Sequence, residues 1–156
     1  MPNTFVVERE QRIEGAPSAV YERIVDFHRW QAWSPWDDID PELWRGYEGA
    51  EAGVGAVYEW AGNRKAGTGK MTITAVEPAA SVTIELQFLR PFKSKGTVVF
   101  TLTPDGSTTV TRWTMTGRRT PMLRFFEIFS SMDKIIGPDF EKGLARLKAD
   151  VERGRT

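Results

Sequence analysis

Few side chains in this sequence can do acid–base or nucleophilic chemistry, and they are scattered. The single histidine, His28, stands beside Arg29 and Trp30 where a short helix would start. With no second histidine there is no metal pair, so His28 reads as a structural or capping residue. The absence of cysteine removes thiolate nucleophiles, disulfides and cysteine-based metal sites together. No HExxH, P-loop or G-x-S-x-G pattern occurs. The glycines of Gly53-x-Gly55 and Gly67-x-Gly69 read as turn and strand-entry residues, because neither pair opens a helix as a dinucleotide site requires. No metal and no cofactor is therefore expected.

The carboxylates are more ambiguous. Asp37, Asp38 and Asp40 follow a tryptophan cluster and have the composition of a cation-chelating loop, although a solvated acidic loop explains them as well. Glu59 and Glu85 alternate with apolar neighbours, which puts both on the wet face of their strands. A paired-carboxylate mechanism needs both in one cleft with one pKa raised, and the alternation argues against that. Tyr58 shares the apolar parity and is the best acid–base candidate by position; Glu59 or His28 would serve only if local geometry turned them inward.

The aromatic residues are the stronger signal. Of six tryptophans, four (Trp30, Trp33, Trp36 and Trp44) fall within fifteen residues. Tyr58, Trp60, Phe88, Phe100 and Trp113 share one strand parity with Met71, Ile73, Ile84, Leu86 and Met115. Such a lining makes either a filled core or the wall of a container. Polar tips on tyrosine and tryptophan are what ligand sites use to fix orientation.

The elements that must position these residues follow from periodicity. Thr4–Glu14 reads as an edge-type first strand, with Phe5, Val7 and Ile13 on one face. Gly15-Ala16-Pro17-Ser18 breaks it and places a proline in the first turn of a helix carrying Val20, Tyr21, Ile24 and Val25. A second short helix covers Phe27 to Trp33, and Ser34-Pro35-Trp36-Asp37-Asp38 is a loop. Trp30, Trp33 and Trp36 are expected to pack these helices against the sheet edge.

From Leu43 the period changes to two, giving about six strands joined by tight turns. The connections are too short for parallel crossovers, so the strands form an antiparallel meander. Met71, Ile73 and Ala75 are read on one face, as are Val82, Ile84, Leu86 and Phe88, then Val98, Phe100 and Leu102, and finally Thr111, Trp113 and Met115. Thr120-Pro121 opens a helical segment with the stripe Met122, Phe125, Phe126 and Phe129, and Gly137-Pro138 should break or kink the chain after it. The last helix, Pro138–Arg153, carries Phe140, Leu144, Leu147 and Val151 as one apolar stripe. Gly143 lies on the same side, where a missing side chain either lets the helix approach an aromatic ring or leaves room for a ligand. The class is α+β: a sheet of about seven strands, two short helices after the first strand, and a long final helix across the concave face.

Twenty-one basic residues balance twenty-one acidic ones, so no overall field recruits nucleic acid. Arg118, Arg119 and Arg124 beside the Phe125–Phe129 stripe suggest an amphipathic helix with solvated arginines, or a segment that touches membranes. No stretch is apolar enough to span a bilayer, and MPNTFVVERE lacks the pattern of a signal peptide. One cytoplasmic domain over residues 1–156 is expected.

Four stretches carry a family resemblance: APSAVYERIVDFHRWQAWSPW (16–36), GAVYEWAGNRKAGTGKMTI (55–73), TTVTRWTMTG (108–117) and MDKIIGPDFEKGLARLK (132–148). Together they resemble the SRPBCC superfamily, with its START-like or helix-grip fold, and within it the polyketide cyclase/dehydrase-like branch. The resemblance implies a cavity between Phe140–Val151 and the inward strand residues. Its expected lining is Tyr58, Trp60, Met71, Ile73, Ile84, Leu86, Phe88, Phe100, Trp113, Met115, Phe140, Gly143, Leu144 and Leu147. Members of the superfamily hold apolar ligands; some are cyclases or aromatases, and some act on protein partners.

Three functions follow as expectations. The first is binding of a hydrophobic or aromatic small molecule, lipid-like or polyketide-like. Burying about 300 Å² of apolar ligand surface would contribute roughly 7 kcal/mol, against association costs of at least about 4 kcal/mol. The second is a polyketide cyclase or dehydratase using a cavity tyrosine or carboxylate. The third is a protein-interaction module presenting Phe125, Phe126 and Phe129.

Overall fold

The computed structural model describes residues 4–36, 40–63, 67–90, 93–118 and 132–154. Strand β1 (Thr4–Glu14) leads to helix α1 (Pro17–Val25) and a short 3-10 helix (Phe27–Ala32). Six strands follow: β2 (Trp44–Gly49), β3 (Ala56–Ala61), β4 (Thr68–Glu77), β5 (Ser81–Arg90), β6 (Ser94–Asp105) and β7 (Thr108–Arg118). Helix α2 (Met132–Arg153) comes last among the described elements. The strands form one curved antiparallel sheet in the order β1-β7-β6-β5-β4-β3-β2. The meander therefore runs from β2 to β7, and β1 closes onto β7 as an edge strand.

Strand parity decides which face is buried. Val82, Ile84 and Leu86 of β5, Val98, Phe100 and Leu102 of β6, and Thr111, Trp113 and Met115 of β7 are all buried. Strand β4 departs from the simple alternation. Ile73 pairs with Ile84 but Ala75 pairs with Thr83, so a bulge at Thr74 inserts one residue. A one-residue insertion reverses every later side chain. Ala75 is thus exposed, and Val76, opposite Val82, packs against the core instead.

The tryptophan cluster lies deeper than the sequence predicts. Trp30 and Trp33 do not seal the sheet edge. They lie over β6 and β7, with Trp33 edge-on to Phe100 at 6.0 Å and to Trp113 at 5.7 Å. Their indole N–H groups donate to the Ile24 and Arg23 carbonyls at 2.8 and 3.0 Å. Those carbonyls lie in the last turn of α1, where no backbone partner within the helix remains. Two rings thus fill the core and cap a helix at once. Asp26 in turn caps the 3-10 helix, accepting from the His28 backbone N–H at 2.9 Å.

Helix α2 runs unbroken through Pro138, starting at Met132 rather than after the expected break. Proline removes one backbone donor from the helix interior. The turn around it is held from outside by β1. Arg9 donates from Nη1 and Nη2 to Asp133 at 2.7 and 2.9 Å, and from Nε to Glu141 at 3.2 Å. One guanidinium therefore ties residues on both sides of the proline, and a Cβ at Gly137 would collide with it. Further along, Arg23 of α1 binds Asp150 at 2.8 Å. The Met122–Phe129 stripe lies outside the described residues.

Candidate functional site

The apolar stripe of α2 divides in two. Leu144, Leu147 and Val151 are fully buried, each contributing about 1.5–3 kcal/mol by burial. Ile136 and Phe140, nearer the N-terminal end, instead border a cavity of about 230 Å³. The opening under the final helix is thus confined to that end.

Three layers build the cavity wall. The 3-10 helix and the loop after it supply Phe27, Trp30, Gln31, Ser34, Trp36 and Leu43. The sheet supplies Tyr58, Trp60, Met71, Leu86, Phe88, Val98, Trp113 and Met115, and α2 supplies Ile136 and Phe140. Eight of the residues expected at the site are therefore together: Tyr58, Trp60, Met71, Leu86, Phe88, Trp113, Met115 and Phe140. Ile73, Ile84, Phe100, Leu144 and Leu147 are fully buried in the core and do not border the cavity. Gly143 lets α2 approach closely, since a Cβ there would lie 2.9 Å from both Trp113 Cζ3 and Pro35 Cδ. It leaves no room for a ligand.

Sequence reasoning missed half of the wall. Val98 had a readable signal, sharing parity with Phe100, and Ile136 stands one helical turn before Phe140. Phe27, Trp30 and Trp36 belonged to a cluster whose position was misread. Leu43, Gln31 and Ser34 carried no periodic signal.

The rings brace one another. Trp113 stacks on Phe140 at 4.1 Å and 7°, and Trp36 meets Trp113 edge-on at 5.6 Å. On the other side Tyr58 stacks near Trp60 at 6.1 Å, and Trp60 meets Phe88 edge-on at 5.7 Å. Gly69 makes that second arrangement possible, because a Cβ there would lie 2.6 Å from Trp60 Cη2 and 2.5 Å from the Gln87 carbonyl oxygen. Trp60 covers the gap that glycine leaves in β4, a recurrent way of restoring packing in sheets.

The wall is electrically quiet. Among its described residues there is no lysine, arginine, histidine, aspartate or glutamate, and Tyr58 is the one titratable side chain. The indole N–H of Trp36 donates to Asp139 at 3.2 Å. That of Trp113 has no hydrogen-bond partner among the described residues and is shut away among rings. Away from the wall, hydrogen bonds from Arg9 hold the Asp133 carboxyl below the usual carboxylate range, and its bonds to Asp133 and Glu141 raise Arg9.

The other chemical candidates lie outside the wall. His28 is exposed, stacks on Tyr47 at 4.1 Å and meets Asp26 through Nδ1 at 2.9 Å, as a structural residue does. Glu59 and Glu85 lie off the inward parity, opposite Lys70 and Thr97 respectively. Asp40 accepts backbone N–H groups from Glu42 and Asn63 at 2.9 and 2.8 Å. Asp37 and Asp38 lie outside the described residues, as do Phe125, Phe126 and Phe129. Among the described residues no cluster of three possible metal ligands occurs, and no helix is long and apolar enough to cross a membrane.

An antiparallel sheet gripping a long C-terminal helix over an uncharged aromatic cavity defines the helix-grip class, a hydrophobic-ligand-binding fold. The chain belongs to the family described as polyketide cyclase / dehydrase and lipid transport, whose model matches residues 4–152. This is the SRPBCC-type family that the sequence resembles. Solved structures share the fold. MLL2253 from Mesorhizobium loti is 21% identical with a TM-score of 0.67, over 96% of this chain and 97% of that one. Ara h 8.0201 is 11% identical with a TM-score of 0.67, over 96% and 99%. DynU16, from the dynemicin biosynthetic locus, is 18% identical with a TM-score of 0.62, over 96% of this chain and 48% of that one. No curated protein matches the chain.

Proposed function

We propose that this protein binds a small hydrophobic or aromatic molecule in the cavity between the 3-10 helix, the sheet and the N-terminal end of α2. One observation carries the reading: a space of about 230 Å³ walled by aromatic rings and two methionines, with no charged side chain among its described residues. An ion would lose its hydration there with nothing to replace it. An apolar ring would exchange water for ring edges and polarisable thioethers. An apolar cavity of about 150 Å³ holds one benzene, so this one is the right size for one or two rings. The family description, which names both cyclases and lipid transport, supports the same class of ligand. We take residues 1–156 to form one domain, in keeping with the single family match over residues 4–152, and the cysteine-free sequence suits a reducing compartment such as the cytoplasm.

A cyclase or dehydratase version would have to work through Tyr58, the one titratable side chain among the described wall residues. The experiment is native mass spectrometry of purified protein, followed by tryptophan-fluorescence titration with bicyclic aromatics and fatty acids. Trp30, Trp36, Trp60 and Trp113 border the cavity and make its filling visible. Saturable quenching by aromatics at micromolar to millimolar concentration is expected. Absence of any saturable response across the panel would overturn the reading.

A further inference from the structure

The cavity is not uniformly apolar: besides the tyrosine and tryptophan tips, its wall carries the polar side chains of Gln31 and Ser34. Gln31 lies in the last turn of the 3-10 helix and Ser34 two residues beyond its end, and both border the cavity. Across from them the wall is rings and thioethers. The Gln31 amide is held in place: its Nε2 donates to the Tyr47 hydroxyl at 2.9 Å, and Tyr47 is itself stacked on His28. That bond uses the donor end of the amide and leaves the Oε1 acceptor without a partner among the described residues. Ser34 is buried, and its Oγ accepts a long bond from the Trp36 backbone N–H at 3.4 Å. Accepting leaves the hydroxyl hydrogen available for donation. Gln31 is exposed as well as wall-forming, so this pair stands at the mouth.

We infer that the cavity selects an apolar molecule bearing a hydroxyl group. The hydroxyl donates to Gln31 Oε1 and accepts from Ser34 Oγ, while the apolar body lies against Met71, Leu86, Phe88 and Met115. A hydroxyl is the group that fits, because it offers one donor and an acceptor on the same atom. A carboxylate has no donor for Gln31 and meets no cation on the described wall, and an ether oxygen has no donor at all. Tyr47 acts as a positioning residue that holds the Gln31 acceptor towards the cavity. This inference rests on the reading of the cavity as a binding site and narrows the ligand class.

Three probes of nearly equal size test it by calorimetric titration: naphthalene, 2-methoxynaphthalene and 2-naphthol. 2-Naphthol should bind about tenfold tighter than 2-methoxynaphthalene, about the worth of the one hydrogen bond to Gln31 that the ether cannot make. Gln31→Leu should bring 2-naphthol down to the level the ether shows in the same variant, because neither ether nor hydrocarbon donates to the amide. Tyr47→Phe should lower the 2-naphthol preference partway. Equal binding of 2-naphthol and the ether by the unaltered protein would overturn the inference and leave the cavity reading standing, as would a preference that survives Gln31→Leu. Failure of all three probes to bind would overturn both.

Discussion

The two ends of the concave face share an inward parity and differ in outcome. Beneath the C-terminal half of α2, Leu144, Leu147 and Val151 close over a core with Val7, Val20 and Ile24, and all six are fully buried. Beneath the N-terminal end, Phe140 and Ile136 face rings across a cavity of about 230 Å³. Parity is the same at both ends, so parity does not decide between core and container. Two physical differences do. The backbone of α2 runs close along β1, whereas the cavity is walled by residues of β3 to β7. The strands that wall the cavity also carry flat rings that brace one another instead of interdigitating. Branched aliphatic side chains fill space continuously; large planar groups held at fixed angles leave voids between them.

Substitutions can break or sharpen that contrast. The largest effect is expected on the packed side at Trp33, which is fully buried and donates to the Arg23 carbonyl. Trp33→Ala should cost about 3–5 kcal/mol in urea unfolding, and a loss below about 1 kcal/mol would mean the ring is peripheral. Gly143→Ala adds a methyl group within 2.9 Å of Trp113 and Pro35. It should destabilise by about 1–3 kcal/mol, despite alanine's better helix propensity. On the open side, Phe88→Ala should cost only about 1–2 kcal/mol because the ring is only partly buried, and it should weaken aromatic binding.

Ala79 belongs to neither region and serves as a control. It holds a left-handed backbone, φ 59°, in the turn between β4 and β5. Ala79→Gly should therefore stabilise by about 1 kcal/mol without altering any ligand affinity. The smallest effect concerns the clamp on α2. Arg9 lowers the folded-state pKa of Asp133. Its contribution is then complete above the ordinary carboxylate pKa of about 4 and lost as pH falls through the lowered value. Asp133→Asn should flatten that acid limb in urea midpoints measured from pH 5 to pH 2, and an unchanged acid limb would remove the clamp from the account.

The sheet was largely legible because a period of two leaves a mark in every strand. Val82, Ile84 and Leu86 could be assigned to the buried face from spelling alone. The β4 bulge was not legible, since Thr74 looks like any outward threonine and only pairing with β5 exposes it. Gly137-Pro138 spells a helix break, yet Arg9, more than a hundred residues away, holds the helix through it. Seven wall residues could be read from strand parity and Phe140 from the helical stripe, but parity could not separate Leu86, at the cavity, from Ile84, in the core. Gln31 and Ser34 were invisible because a polar residue on an irregular turn has no period to betray its direction.

The contrast between the two ends is tested most directly by methyl NMR during a naphthalene titration. The account predicts saturable shifts at the methyl groups of Met71, Leu86, Val98 and Met115, with Leu147 and Val151 unmoved. Equal shifts at both ends, or none at the first four, would contradict it.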